Sequence, residues 1–240
     1  MSTFLPINLP SKCLPYEGVS AEDITIRAYT AKDEVYLAEI NPINLESKYL
    51  LVLKEVVKGI DPKLLTLGDR LYIMIWEYIN SYSTTIKLSE ICSYCLKEIN
   101  VSIDLTKLEL VELPDNFHQP YAVKLPDKGK EICLRLLTIK DEIEIERYEK
   151  KNKNAHLYRY ARSIVSDTDV LSRIETIEKL SAKDLAKIRA FHQKFYHGPD
   201  MNTSFECPEC GEEGDTVVPF RLEFLYPHGE ALTDAFGEGI

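Results

Sequence analysis

Four of the six cysteines occur as two Cys-x-x-Cys pairs, Cys92 with Cys95 and Cys207 with Cys210. Each pair lies between segments with strand-like patterns, so the sequence predicts two β-hairpins whose turns carry the thiols. Such a turn presents two thiolates on one side, at the separation that tetrahedral Zn²⁺ requires, and two turns supply a closed set of four ligands. We therefore predict a structural Zn²⁺ site at Cys92, Cys95, Cys207 and Cys210.

Two alternatives remain for these pairs, a thiol redox site and ordinary cysteines without metal. Residues 96–206 separate the pairs, far more than the ~15 to 20 residues of a simple zinc-ribbon pattern, so spacing alone does not establish a joint site. A redox pair typically begins a helix whose dipole lowers the thiolate pKa, and neither pair precedes a helical pattern. A catalytic zinc keeps an open coordination position, whereas four cysteines leave none.

Several other reactive residues have simpler interpretations. Cys13 and Cys133 are predicted to be packed or incidental thiols and not metal ligands. His192 and His197 lie near the end of a predicted helix, where their positive charge favours the helix dipole. The acidic helix is predicted to be a solvated face that is partly neutralised by Arg147 and Lys150; its acidic residues are Glu142, Glu144, Glu146 and Glu149.

The elements that position the cysteines predict an α+β fold, a mainly helical body with a split four-cysteine zinc ribbon made of two β-hairpins and a small β-rich insertion. Helix caps are predicted at Thr30, Thr66, Thr138 and Ser181. Apart from the cysteine pairs, no internal repeat is predicted. The divisions are an extended N-terminal arm (1–23), the first part of the helical body (24–83), the split zinc ribbon (84–105 and 200–226), the β-rich insertion (106–137), the second part of the body (138–199) and an acidic C-terminal tail (227–240).

Composition narrows the function classes. The 240 residues carry 29 Lys and Arg against 39 Asp and Glu, and this net charge of −10 opposes non-specific phosphate binding. No window approaches the ~18 apolar residues of a membrane helix, and residues 1–20 lack the features of a signal peptide, so we expect a protein of the reducing cytoplasm without membrane contact. The sequence contains no phosphate-binding glycine loop and no Gly-x-Ser-x-Gly or His-Glu-x-x-His motif, so we expect no enzyme.

The order of several segments resembles a phage family, the baseplate proteins of contractile tails typified by the T-even baseplate hub assembly proteins. The resemblance covers residues 9–227, although the family's first motif more often has glycine where Cys13 stands. The segments are LPSKCLPY (9–16), ITIRAYTAKDEVYLA (24–38), KGIDPKLLTLGDRLYIMIWEYINSY (58–82), the first cysteine pair, YAVKLP (121–126), ICLRLLTIKDE (132–142), AKDLAKIRAFHQKFYHGPD (182–200), FECPECGEE (205–213) and VVPFRLEFLYP (217–227).

The resemblance implies a non-enzymatic role in building the tail baseplate, as an assembly chaperone of the central hub or as a retained subunit. Its partners would be other tail proteins, including hub subunits. It would act in the host cytoplasm during assembly and, if retained, in the virion tail baseplate. The alternative is a zinc-ribbon nucleic-acid-binding or transcription factor. Acidic residues flank both cysteine pairs and argue against that alternative; they are Glu90, Glu98, Glu206, Glu209, Glu212 and Glu213.

Overall fold

Polar caps begin the main helices at the predicted positions. In a computed structural model that describes residues 3–152, 155–219 and 225–226, the Thr66 and Ser181 side chains accept the backbone N–H groups of Asp69 and Asp184. Thr30 and Thr138 form capping boxes. The described residues contain seven α-helices, which are α1 (Ala31–Leu37), α2 (Leu45–Val56), α3 (Leu67–Ser81), α4 (Ile139–Glu149), α5 (Ala155–Ser163), α6 (Val170–Glu178) and α7 (Ala182–Lys194). None of these helices is both long and apolar enough to cross a membrane.

The strands form small antiparallel sheets, so the fold is mixed α+β. Two sheets have three strands, in the orders β1-β2-β3 and β7-β8-β9, and the others are two-stranded pairs, including the hairpins β4-β5 and β11-β12. The strands are β1 (Leu5–Pro6), β2 (Thr25–Ile26), β3 (Val57–Lys58), β4 (Thr85–Ile91), β5 (Glu98–Asp104), β6 (Leu110–Val111), β7 (Tyr121–Lys124), β8 (Glu131–Leu134), β9 (Ile164–Val165), β10 (Gly198–Pro199), β11 (Asn202–Glu206) and β12 (Glu213–Val217).

The structure contains an internal repeat, contrary to the sequence-based expectation that only the cysteine pairs recur. The first unit, residues 5–104, runs β1-β2-α1-α2-β3, a 3₁₀ turn, α3 and the hairpin β4-β5. The second unit, residues 121–217, runs β7-β8-α4-α5-β9, then α6, α7, the short strand β10, which pairs with β6, and the hairpin β11-β12. The strand pairing also recurs, since Ile26 of β2 pairs with Val57 and Leu134 of β8 pairs with Ile164.

An arginine contact at the start of α1 and α4 shows the repeat at atomic detail. The Arg27 guanidinium donates to both oxygens of Asp33, at 2.7 and 3.1 Å, and Arg135 donates likewise to Asp141, at 2.6 and 2.8 Å. Both carboxylates belong to capping boxes. The shared pattern is Arg-x-x-Thr-x-Lys-Asp-Glu, at 27–34 and 135–142. Arg162 also donates to Asp141, so the second copy has an additional cation.

A second shared contact joins a loop to the last helix of each unit. The Asp69 carboxylate accepts the backbone N–H of Ser11 at 2.9 Å, and the Asp184 carboxylate accepts that of Asp127 at 2.9 Å. These loops read Leu-Pro-Ser-Lys-Cys (9–13) and Leu-Pro-Asp-Lys-Gly (125–129). Their last residues both have positive φ, 59° at Cys13 and 63° in the second loop. Cys13 therefore adopts the left-handed conformation that glycine favours.

Two clusters of buried apolar side chains form the core. The first cluster contains most of the first unit and also takes in Val218 and Leu225, which follow the second hairpin. It buries Ile7 and Leu9 of the predicted arm, so this segment packs against its own chain. The second cluster contains side chains between residues 113 and 195. Helix α4 contributes Ile139 to the first cluster and Ile145 to the second, so it joins the two.

The acidic helix α4 differs from the predicted solvated face. Glu142 is buried and pairs with both terminal nitrogens of the Arg159 guanidinium. Glu146 accepts hydrogen bonds from Ser47 on α2 as well as from Lys150. These carboxylates therefore hold α4 against neighbouring helices, which periodicity did not reveal because their partners lie far away in sequence. The predicted acidic tail, residues 227–240, lies outside the described residues.

Candidate metal centre

The four paired cysteines converge between the two hairpins. Their Sγ atoms all lie within 4.8 Å of one another. Across the hairpins, Cys92 Sγ lies 3.7 Å from Cys210 Sγ, and Cys95 Sγ lies 3.9 Å from Cys207 Sγ. In the repeat, Cys92 corresponds to Cys207 and Cys95 corresponds to Cys210. The two contacts are therefore equivalent, and the site shares the symmetry of the repeat.

The two hairpin turns have the same backbone geometry. The N–H of Leu96 donates to the carbonyl of Cys92 at 2.9 Å, and the N–H of Gly211 donates to that of Cys207 at 2.9 Å. The donor residues have φ of 60° and 76°. The residue after the second cysteine therefore has a positive φ in both turns, and it is glycine in one turn and an exposed leucine in the other.

The sulfur separations suit one tetrahedral ion. With a metal–sulfur distance of about 2.3 Å, neighbouring ligands of a tetrahedral zinc lie ~3.8 Å apart, which agrees with the contacts of 3.7 and 3.9 Å. A disulfide needs sulfur atoms about 2.05 Å apart, and all four residues are free thiols. The donor set is four soft sulfur atoms, with no fifth candidate among the described residues, and this set fits a closed structural site.

The electrostatics of the site favour binding of a cation. Backbone N–H groups of Cys95 and Tyr94 donate to the Cys92 thiol and lower its pKa to about 6. At Cys210 the N–H of Glu212 lowers the pKa, but desolvation and the neighbouring thiols raise it to about 12. Because crowded thiolates repel one another, a bound cation would stabilise the deprotonated forms that ligate metal.

Further contacts hold the two hairpins together beside the cysteines. Cys92 and Cys207 are buried, while Cys210 is exposed. The Lys97 ammonium pairs with the Glu209 carboxylate, although the pair is largely exposed and contributes little to stability. The Thr216 hydroxyl donates to the Glu90 carboxylate at 2.5 Å. Two of the flanking glutamates therefore have partners across the hairpin interface.

The other cysteines and histidines among the described residues lie outside this site. Cys13 is buried, where desolvation raises its thiol pKa to about 11, and Cys133 is half-buried in β8. His192 is not the predicted charged residue, because burial and the positive charge of Arg159 lower its pKa to about 4. His197 is buried and lies 2.6 Å from the Thr66 hydroxyl, so it joins α3 to the segment after α7.

One titratable residue in the core has no signal in the sequence. Glu77 on α3 is fully buried, and neither carboxylate oxygen has a hydrogen-bond partner among the described residues. Burial raises its pKa to about 9, against the lowering effect of the Arg27 cation. Burial also raises the pKa of the Tyr29 and Tyr49 hydroxyls, which interact with each other and with Glu77. Glu77 therefore lies in the core as a neutral acid at neutral pH.

Comparison with known proteins identifies the family. The family model described as "T4 bacteriophage base plate protein" matches residues 10–225. Neither a search of curated proteins nor a search of solved structures finds a match. The family description implies a structural role in the phage tail, in association with other tail proteins. Because the match covers most of the sequence, the chain belongs to the T4-type phage baseplate protein family.

Proposed function

We propose that this protein acts in assembly of the baseplate hub of a contractile phage tail, as a chaperone or as a retained structural subunit. In this proposal it works through protein–protein contacts with hub subunits and has no catalytic role. Membership of the baseplate family is the observation that carries the proposal. Its site of action would be the host cytoplasm during assembly and, if retained, the baseplate of the virion.

We also propose that Cys92, Cys95, Cys207 and Cys210 bind one structural Zn²⁺, which completes a split zinc ribbon from the two hairpins. The sulfur separations of 3.7 and 3.9 Å support this proposal. One ligand pair comes from each repeat unit, so the ion would join the two units. Structural zinc binds zinc-finger peptides with about 10–16 kcal/mol, which is comparable to the net stability of a domain.

The exposed surface of the first hairpin supports a role in protein contacts. Ile91, Tyr94 and Leu96 are between 64% and 77% exposed near its turn. Large apolar side chains this exposed on one turn are typical of binding surfaces. The glutamates around the cysteines weigh against the nucleic-acid-binding alternative, because they would repel phosphates. Tight, steeply salt-dependent binding to DNA in a filter assay would favour that alternative over the baseplate role.

The role in assembly is tested in infected cells by quantitative mass spectrometry. Purified particles and lysate are compared, and the tagged protein is recovered from each after chemical cross-linking. We expect cross-links to hub proteins, in particles for a retained subunit and only in lysate for a chaperone. A protein that is absent from particles and forms no cross-link to a tail protein would contradict the proposal.

The zinc proposal is tested by elemental analysis of the purified protein. We expect about one zinc per chain in the wild type. Cys210→Ser should lose the metal, whereas the matched control Cys133→Ser should retain it, because Cys133 lies in β8 outside the cluster. Wild-type protein that is purified without metal and still has both hairpins protected from hydrogen exchange would refute the zinc site and leave the assembly role to the particle experiment.

A further inference from the structure

A groove of 330 Å³ lies between strand β7 and helix α7 in the second repeat unit. All four residues of β7 line it, opposite Lys187, Phe191, Lys194 and Phe195 of the helix and the residue that follows it. Successive side chains of a strand point to opposite faces. Four consecutive lining residues therefore mean that the backbone edge of β7 itself forms one wall.

The outer edge of β7 has no strand partner among the described residues. β7 is the outer strand of the sheet β7-β8-β9 and pairs with β8. An outer strand presents unpaired N–H and C=O groups that can accept an additional strand. An extended peptide that pairs with such an edge gains main-chain hydrogen bonds, while its side chains meet the neighbouring surface.

The rim of the groove is basic in an acidic protein. Lys124, Lys187 and Lys194 are all exposed, and within the described residues none has a carboxylate within ion-pair distance. Lys194 lies over the rings of Tyr121 and Phe195, at 5.3 and 5.0 Å from their centroids. Against a net charge of −10, three cations around one groove favour an acidic ligand.

The floor of the groove is apolar and closed. Phe191 and Phe195 are 3% exposed, and Tyr121 packs edge-on against Phe195 with ring centroids 4.9 Å apart. Buried rings offer no open face on which a nucleic-acid base can stack. The groove therefore suits an extended peptide better than single-stranded nucleic acid.

The repeat shows that the fold does not require these lysines. The Leu-Pro loops align Lys124 with Asn8. The helix caps Ser181 and Thr66 align the other two lysines with Tyr72 and Ile79 of the first unit. Tyr72 and Ile79 pack against the first apolar cluster. The basic rim is thus specific to the second unit, as expected for a binding feature.

We propose that this groove binds an extended acidic segment of a partner tail protein, which adds as a strand to the edge of β7. Carboxylates of the segment would pair with Lys124, Lys187 and Lys194, while its backbone would pair with the open edge of β7. The identification of the partner as a tail protein rests on the proposed function. The chemistry of the segment rests on the groove alone.

The test uses the full chain and a labelled eight-residue peptide that alternates glutamate and valine. Fluorescence anisotropy measures binding, and hydrogen exchange measures protection of the amides of residues 121–124. We expect saturable binding with new protection at alternate amides of β7, those that point away from β8, because the others already bond to that strand. Replacing the three groove lysines by glutamate should weaken binding about tenfold or more. A control triple variant with the same charge change, in exposed lysines of the first unit, should differ less than about twofold from wild type; it is Lys32→Glu, Lys54→Glu and Lys63→Glu.

Four results would overturn the inference. The first is that the wild type does not bind the peptide, and the second is that both triple variants lose the same amount of peptide affinity. The third is that the peptide binds without protecting amides in β7. The fourth is that a thymidine oligonucleotide binds as tightly as the peptide and displaces it. Thermal unfolding checks that both triple variants are folded. Failure of peptide binding leaves the cross-links to tail proteins unaffected, so the groove and the assembly role are tested separately.

Discussion

Replacing the buried acid Glu77 by glutamine should make the protein relatively more stable as the pH rises. Burial raises the pKa of Glu77 from 4.5 to about 9, and the carboxylate would lack any hydrogen-bond partner among the described residues. The native state therefore keeps a proton that the unfolded chain releases above pH 4.5. A raised native pKa stabilises the fold fully below the unfolded value, and this contribution is lost as the pH rises toward about 9.

The size of this effect follows from linkage. Each unit of pH between the two pKa values costs the wild type about 1.4 kcal/mol, and the neutral glutamine of Glu77→Gln does not titrate. Between about pH 5.5 and about pH 8, the free energy of unfolding of the variant should rise by about 3 kcal/mol relative to that of the wild type. Other titrating groups are shared by both proteins and cancel in this difference.

Urea unfolding at the two pH values measures the difference directly. Glu55→Gln is the matched control, because Glu55 is exposed on α2 and its replacement should give a difference that does not change with pH. If the difference in free energy of unfolding between Glu77→Gln and the wild type is also independent of pH, Glu77 is ionised in the folded protein, and the argument from desolvation is wrong.

Three further predictions concern stability at low pH, the two turns that carry the cysteines, and the two equivalent arginines of the repeat. Burial holds the pKa of His192 near 4, so the unfolded chain takes up a proton at this residue before the native state does. As the pH falls from about 6.5 to about 4, the free energy of unfolding of the wild type should therefore fall by about 3 kcal/mol relative to that of His192→Gln. Urea unfolding measures this difference. Both Leu96 and Gly211 have positive φ, which glycine adopts more easily than leucine. Leu96→Gly should therefore raise the free energy of unfolding by up to about 1 kcal/mol, and Gly211→Leu should lower it by about as much. Changes of the same sign in the two variants would refute this prediction. Arg27→Ala should cost about 3 kcal/mol or more and Arg135→Ala clearly less, because the carboxylate partner of Arg135 retains a second arginine; equal losses would contradict that reasoning.

Much of the local structure could be predicted because its causes are local. Ser and Thr caps with an acidic residue three positions later set the starts of α1, α3, α4 and α7. The alternation around Cys92 and Cys95 predicted the hairpin β4-β5. That all four cysteines lie together was harder to predict, because it depends on tertiary contacts between two hairpins that are far apart in the sequence.

The internal repeat was missed because its two copies share only short segments, such as Arg-x-x-Thr-x-Lys-Asp-Glu at 27–34 and 135–142, and two copies do not produce a regular period. The shared residues act at turns and caps, such as Arg27 and Arg135, while the loops between them differ in length. Strands β3 and β9 have two residues each, too few for an alternating pattern. Tertiary contacts define these elements, so they became visible only when both copies could be compared in three dimensions.

The burial of Glu77 was missed for a related reason. Leu71, Ile75, Trp76 and Ile79 recur on α3 at three- and four-residue spacing, which indicates one buried stripe, but the most deeply buried positions include Ile73 and Met74. The helix is covered on more than one side, and a stripe argument assumes that the opposite face is solvated. A carboxyl group on a helix surrounded by other elements is then assigned to solvent by mistake.

If a metal ion holds the hairpins together, its removal should affect them unequally. The first hairpin is anchored independently of the cysteines, since Leu88, Ile99 and Val101 are buried in the first apolar cluster. In the second hairpin the described contacts to that cluster are fewer, chiefly half-buried Phe205 and the flanking Val218. Loss of the ion removes the strongest restraint on the less anchored partner.

Chelation should therefore increase amide exchange in β11 and β12 well before it does so in β4 and β5, with the helices of both units still protected. Hydrogen-exchange mass spectrometry with and without chelator measures this order, and the chelated Cys210→Ser variant should show no further change. Simultaneous loss of protection in both hairpins and in α3 would mean that the ion supports the whole fold. In that case the apolar clusters would be insufficient to hold either unit, and the reasoning from anchoring would fail. The order of release thus distinguishes an ion that joins two self-supporting units from an ion on which their folding depends.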